Sequence, residues 1–209
     1  MKKGKSAGVV QQQRIELPAL EIGIFQLTLI GDSPLISHKW SEKAKKEMLD
    51  KHMKKPKQAR EAKDPEKDYL ESLYKHPEGG YGFPAIAFKA AAVDACSHAG
   101  EITKVEARGA FHINGELVKI NGAPSMRDDM VRVGMGQADI RFRGEFKRWS
   151  ATFPIRYNKN VLSPEQIINL FSIAGFAIGV GEWRPQKDGS YGMFHVQSEV
   201  EKGNGKRAE

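Results

Sequence analysis

The sequence predicts an α+β fold, an antiparallel sheet with helices on one face, and three observations predict it. Ile22 to Ile30 (IGIFQLTLI) is rich in β-branched and apolar residues and is stopped by Gly31-Asp32-Ser33-Pro34, as a central strand would be. Two later stretches, starting at Phe83-Pro84 and at Ser163-Pro164, combine helix-start residues with apolar faces. Between them, Ala138 to Tyr157 alternates apolar and basic residues with the period of a strand.

A chain of 209 residues with 40% apolar composition suffices for one core. The expected organisation is a flexible basic arm (1–20), a single domain (21–198) and a disordered tail (199–209). No run approaches the roughly 20 apolar residues of a membrane span, and the start Met-Lys-Lys-Gly-Lys-Ser lacks a signal core, so the expectation is a cytoplasmic protein with no membrane partner. Cys96 is the one cysteine and lies in the apolar run Ala90 to Ala99, which predicts a buried, inert thiol.

After the first strand, residues 41–80 change character. Ser41 caps a helix through about Met53, Lys54-Lys55-Pro56-Lys57 breaks it, and Asp64-Pro65 starts a second helix ending near Tyr74. The mixed charges predict a solvated helical insertion. Phe83-Pro84 then opens a helix over 85–99, whose Ala87, Ala91, Ala92 and Ala95 allow close approach to a sheet. Asn114-Gly115 predicts a hairpin over Phe111 to Ile120.

A basic β-ribbon is expected within 125–157. Val131 to Gly136 leads into strands Ala138 to Arg143 and Arg148 to Tyr157, turning at Gly144 to Lys147. Ile140, Phe142, Trp149, Ala151, Phe153, Ile155 and Tyr157 form its apolar face, Arg141, Arg143, Arg148 and Arg156 its basic one, and Pro154 predicts an edge position. Ser163-Pro164-Glu165-Gln166 caps a helix to about Ala174, with Gly175 near its end. A glycine-rich loop follows, Gly179-Val180-Gly181-Glu182-Trp183-Arg184-Pro185, and then a last strand over Tyr191 to Val196.

The net charge of +7 is local: residues 1–14 carry +4, and residues 125–160 carry eight basic against four acidic groups. That distribution points to a polyanion. Six histidines show no H-x-x-x-H or H-E-x-x-H spacing, and no Walker lysine, nucleophile elbow or paired carboxylates occur, so no metal, cofactor or hydrolase chemistry is expected. The spaced glycines let backbone N–H groups approach phosphates, with Arg184 as a clamp and Trp183 or Tyr191 as stacking groups; the alternative is that Gly179 and Gly181 merely turn the loop. Lys89, near a helix N-terminus, adds a cation to free N–H groups. His38, beside Lys39, is either a packing histidine or a general base toward an RNA 2′-hydroxyl.

Two segments together resemble the RAMP superfamily, which includes the backbone subunit of CRISPR effector complexes. Phe83-Pro84-Ala85-Ile86-Ala87-Phe88-Lys89-Ala90-Ala91 looks like its helix-opening pattern, with Ala90 where glycine is common. Gly179 to Pro185 followed by Tyr191-Gly192-Met193-Phe194 looks like its C-terminal glycine loop and last strand. The chain is also similar to uncharacterised proteins of tailed bacteriophages. The resemblance implies a ferredoxin-like (RRM-like) fold, a protruding β-hairpin within 125–157 that grips nucleic acid, and Lys89 and Arg184 facing the strand.

The reading from sequence is a non-catalytic, sequence-nonspecific binder of single-stranded RNA or DNA. It self-associates as a homo-oligomer or helical filament, alone or with other subunits of a nucleoprotein complex. Its expected contacts are Lys89, Arg127, Arg132, Arg141, Arg143, Lys147, Arg148, Arg156, Gly179, Gly181, Trp183, Arg184 and Tyr191. The alternatives are a metal-independent endoribonuclease using His38 and a phage structural or assembly protein.

Overall fold

The computed structural model describes residues 19–56, 62–100, 102–133 and 136–198. Most of the basic arm, residues 1–18, and the tail over 199–209 lie outside them. In chain order the elements are β1 (Ile22–Gly31), β2 (Leu35–Ser37), α1 (Glu42–His52), α2 (Pro65–Glu71), β3 (Tyr74–Lys75), β4 (Tyr81–Pro84), α3 (Ala85–Ala99) and α4 (Lys104–Ala110). There follow β5 (Phe111–Ile113), β6 (Leu117–Asn121), β7 (Pro124–Val133), β8 (Gln137–Phe146), β9 (Ser150–Asn158), α5 (Pro164–Ala177), a 3-10 turn (Pro185–Lys187) and β10 (Phe194–Val196).

The main sheet has the order β10-β1-β9-β6-β4-β3, with β5 also paired to β9, and every pairing is antiparallel. The last strand therefore lies beside the first, the first beside β9, and β9 beside the β5/β6 strand that precedes it. With α3 after the first strand and α5 before the last, this is the ferredoxin-like arrangement. Alternation decides the faces: Leu27 and Leu29 of β1 and Ala151, Phe153 and Ile155 of β9 are buried. α3 and α5 cover that side, where Phe88 packs against Phe153 at 5.4 Å between ring centroids and Phe111 against Phe171 at 6.0 Å. Cys96 is buried in α3 as expected.

Several elements differ from the sequence reading. Phe111 to Ile120 is not a hairpin: β5 and β6 both pair with β9, Phe111 opposite Tyr157 and Ile120 opposite Ala151, and β6 also pairs with β4. Asn114-Gly115-Glu116 is a bulge in one interrupted strand, with Gly115 at φ +86° and the Glu116 carbonyl accepting from the Ala85 N–H at 2.9 Å. A two-stranded hairpin is marginal on its own, and ladders to β9 and β4 outcompete it. β9 is correspondingly central, not an edge. Pro154 is tolerated there because it lies between the end of the β5 ladder at Ile155 and that of the β6 ladder at Ala151.

The basic ribbon is β7–β8, paired from Pro124↔Phe146 to Val133↔Gln137, and β9 is not part of it. Gly144 lies inside β8 and donates its N–H to the Ser72 hydroxyl at 2.8 Å; a Cβ there would collide with Leu73. Close packing, rather than a turn, requires that glycine. β2 pairs with the other edge of β8, which makes a second, three-stranded sheet. The insertion over 41–80 is solvated only in part. α1 has no buried residue, but Leu73 enters the core and β3 extends the main sheet. Gly175 is inside α5, where a Cβ would overlap the Phe194 carbonyl, so it marks the crossing of α5 over β10 rather than a helix end.

Candidate nucleic-acid interface

The hairpin inverts the expected faces. Arg127, Asp129, Arg141, Arg143 and Glu145 share one side by register, and the inner part of that side is turned into the molecule. Arg127 Nε donates to Asp129 at 2.8 Å, its Nη1 to Glu145 at 2.9 Å and to the Tyr191 hydroxyl at 3.2 Å, and the guanidinium stands 4.7 Å from the centre of the Tyr191 ring. Burial acts to lower the Arg127 pKa, and the hydrogen bonds to Asp129, Tyr191 and Glu145 outweigh it, so the net shift is upward. Arg143 is 6% exposed and pairs with Asp129 at 3.2 Å, while its Nε has no hydrogen-bond partner among the described residues.

Arg127, Arg143 and Tyr191 are thus engaged with one another and with two carboxylates, and they do not form a free phosphate-binding row. The expectation failed because Asp129 and Glu145 project from the same face. Arg141, farther out, is exposed and pairs with Asp139 at 3.2 Å, and Arg132 is exposed near the tip. The opposite side of the hairpin carries the cross-strand pair Met130 and Ile140, 70% and 51% exposed. The apolar face is the one in water.

The glycine loop is tied down by its backbone amides, partly to itself and partly to α5, β2 and Pro34. The N–H groups of Gly179, Val180, Glu182, Tyr191 and Gly192 donate to the carbonyls of Ala174, Gly192, Ile36, Trp183 and Pro34. A Cβ at Gly181 (φ +81°) would strike the Ile36 carbonyl, and one at Gly179 (φ +67°) would crowd Pro185. These glycines serve the turn and its packing, and the Gly179 amide is taken up by the Ala174 carbonyl. Arg184 is likewise engaged, donating to the Gly181 carbonyl at 3.0 Å and to Gln186 Oε1 at 3.2 and 3.1 Å. Trp183 differs: it is exposed and held at φ +54°, a strained setting for a bulky side chain.

His38 has a partner that the sequence did not disclose. Its Nδ1 lies 3.2 Å from Glu182 Oε1. That hydrogen bond, the largest cause, keeps Glu182 below its ordinary pKa against the opposing effect of burial, with Arg143, His38 and Arg184 adding in the same direction.

The face of the main sheet away from α3 and α5 is exposed among the described residues: Ile24 is 65% accessible, and Gln26, Thr152 and Arg156 are exposed. Its polar groups link across strands, Thr28 to Thr152 at 3.0 Å and Asn121 to Ser150 at 3.3 Å. Alternation places Lys119 on this face too. Lys147 and Arg148, exposed in the β8–β9 connection, stand beyond the Ser150 end of β9.

Near its Asn158 end, Arg156 is the direct cross-strand partner of His112. Lys89 does not point to the α3 N-terminus as expected. It reaches the β5 edge, where Nζ lies 3.0 Å from His112 Nδ1, donates to the Arg108 carbonyl at 2.9 Å and stands 5.9 Å from the centre of the Phe111 ring. Burial lowers the Lys89 pKa, and burial followed by Lys89 and Arg156 lowers that of His112. None of the three has a carboxylate partner among the described residues.

The sequence reading missed His112 and Lys119, because assigning Phe111 to Ile120 to a hairpin hid their place on the sheet. A groove of about 580 Å³ beside α2 and the start of α1, lined by Trp40, Leu70 and Leu73, mixes Glu42, Asp64, Glu66 and Glu71 with Lys39, Lys67 and Lys75, so its charges nearly balance and give no net cationic surface. Among the described residues no helix is long and apolar enough to cross a membrane, and no cluster of three or more histidine, cysteine or acidic side chains is placed to hold a metal ion.

The sequence matches no protein-family model and no curated protein. Among solved structures, the chain is similar to one in the cryo-EM structure of the Type III-B Cmr-beta bound to cognate target RNA, with 12% identity over 85% of this chain and a TM-score of 0.49. It spans 59% of that chain. It is also similar to Cmr6 from Pyrococcus furiosus, with 9% identity over 86% of this chain and all of the other, and a TM-score of 0.43.

Proposed function

We propose that this protein binds single-stranded nucleic acid, without cleaving it, along the uncovered face of its main sheet. The observation that carries this reading is a partition of charge. The inner arginines of the hairpin are neutralised by Asp129 and Glu145, whereas Arg148, Arg156 and Lys119 on and beside the open face have no ion-pair partner among the described residues. Along β9 from Ser150 to Arg156 the chain extends about 20 Å at about 3.3 Å per residue, with Arg148 just beyond, long enough for a run of nucleotides whose phosphates meet cations at both ends.

Arg132 and Arg141 at the outer hairpin and Trp183 on the glycine loop extend the surface. Met130 and Ile140 suit contact with a second copy or another subunit, which supports the self-associating form of the reading. The RAMP-like segments at Phe83 to Ala91 and Gly179 to Phe194 make RNA the first ligand to try.

Fluorescence anisotropy with labelled single-stranded RNA, single-stranded DNA and duplex across a salt series tests this. Five phosphates neutralised give a log–log slope of about −3.5, from about −0.7 per contact. Absence of binding at low salt, with a sharp oligomer in light scattering, would replace this reading with that of an assembly protein.

One observation favours a second reading, metal-independent RNA cleavage. The Glu182 carboxylate at 3.2 Å orients His38 as an orienting acid does for a general base. Cleavage of an RNA single strand that is lost in His38→Ala and spares its 2′-deoxy analogue would establish it.

A further inference from the structure

The Phe111–Ile113 edge brings cationic side chains together without an anion. His112 and Arg156 stand directly opposite each other on the open face, so protonation of His112 would set two cations side by side. Lys89 adds a third nitrogen from the helix side, 3.0 Å from His112 Nδ1. An ammonium only donates, so His112 Nδ1 is the acceptor: the imidazole is neutral and carries its proton on Nε2. The charged groups acting on His112 are positive from each side, Lys89 from α3 and Arg156 from β9, while α4 contributes the Arg108 carbonyl. The arrangement is two cations and a neutral donor held apart by a lysine–histidine hydrogen bond.

We propose that Lys89, His112 and Arg156 form a phosphate site in which anion binding is coupled to uptake of one proton by His112. The site takes a phosphate group, either a diester of the bound strand or a free or terminal phosphate, and it rests on the reading above only for the first of these. A phosphate oxygen meets the Arg156 guanidinium and the His112 Nε2–H. Its charge favours imidazolium, and a proton from solvent adds to the Nδ1 lone pair. The protonated Nδ1 no longer accepts from Lys89, so the ammonium, keeping its three protons, is freed to turn onto the phosphate. Binding therefore tightens as pH falls, by at most about tenfold per pH unit for one proton taken up.

The test follows the His112 imidazole resonances of the full chain by NMR through a pH titration, alone, with inorganic phosphate and with an oligouridylate. The expected result is a midpoint below 6.5 in the free protein that rises with either ligand. Oligouridylate affinity should gain its pH dependence from the same group, so His112→Gln and Arg156→Gln flatten that dependence while the salt dependence from other contacts persists. An unmoved His112 midpoint under saturating oligouridylate and phosphate overturns the site even though the strand binds. A shift with phosphate in a protein that binds no oligouridylate supports the site and overturns the nucleic-acid reading instead.

Discussion

Arg143 Nη1 donates to Asp129 Oδ2 at 3.2 Å across the β7–β8 ladder, and both side chains are buried. A hairpin whose sequence advertises an arginine-rich outer face thus uses that face to seat itself against the glycine loop, with Tyr191 beneath Arg127.

Removing the shared acid should therefore damage the fold before it touches binding. Asp129→Ala strips the buried Arg143 of its carboxylate and removes one of the two that hold Arg127, and is expected to lower stability by about 3 kcal/mol in urea unfolding. Arg141→Ala, at an exposed pair with Asp139, is expected to cost under about 1 kcal/mol.

Two glycines in helices should respond in opposite directions. Gly175→Ala drives a methyl group into the Phe194 carbonyl and should destabilise by more than about 3 kcal/mol by displacing β10. Gly109→Ala in α4 meets nothing within 4 Å and should stabilise by about 0.5–1 kcal/mol. Thermal unfolding of the pair checks both.

The Glu182–His38 contact sets an acid limit. The carboxylate pKa is depressed in the folded state, so its contribution to stability is present above the ordinary value of 4.5 and is lost as pH falls through the lower, folded one. Denaturant unfolding between pH 6 and pH 3 should show a shallower loss in Glu182→Gln than in the wild type, and an equal slope would contradict the assignment.

Trp183 separates stability from binding. Replacing a bulky side chain at φ +54° by glycine relieves strain, and Trp183→Gly should be as stable as the wild type or more so. If the exposed ring stacks on a base, the same variant should bind single strands with about 1–3 kcal/mol less affinity.

Much of this architecture was legible in the residues. β1, α3 with its alanines, and the Ser163 cap of α5 follow from periodicity and start signals alone. α4 was missed although Thr103 and Glu106 form a capping box that the sequence spells out. Other misses have tertiary causes. Gly144 and Gly175 read as punctuation but are sites where Leu73 and Phe194 leave no room for a side chain. The Asn114-Gly115 pair reads as a hairpin but is a bulge, because β9 and β4 offer longer partners. The site suffered most from strand pairing: once β8 is matched to β7 rather than β9, Asp129 and Glu145 fall among the arginines, and Arg156 moves to the sheet beside His112.

The most direct test compares single-strand affinity, at one low salt concentration, of wild type, Arg148→Glu/Arg156→Glu on the open face and Arg132→Glu/Arg141→Glu at the outer hairpin. The predicted result is a loss of at least about tenfold for the open-face pair with its thermal midpoint unchanged, and a smaller loss for the hairpin pair. Wild-type affinity in the open-face pair would contradict binding along the uncovered sheet.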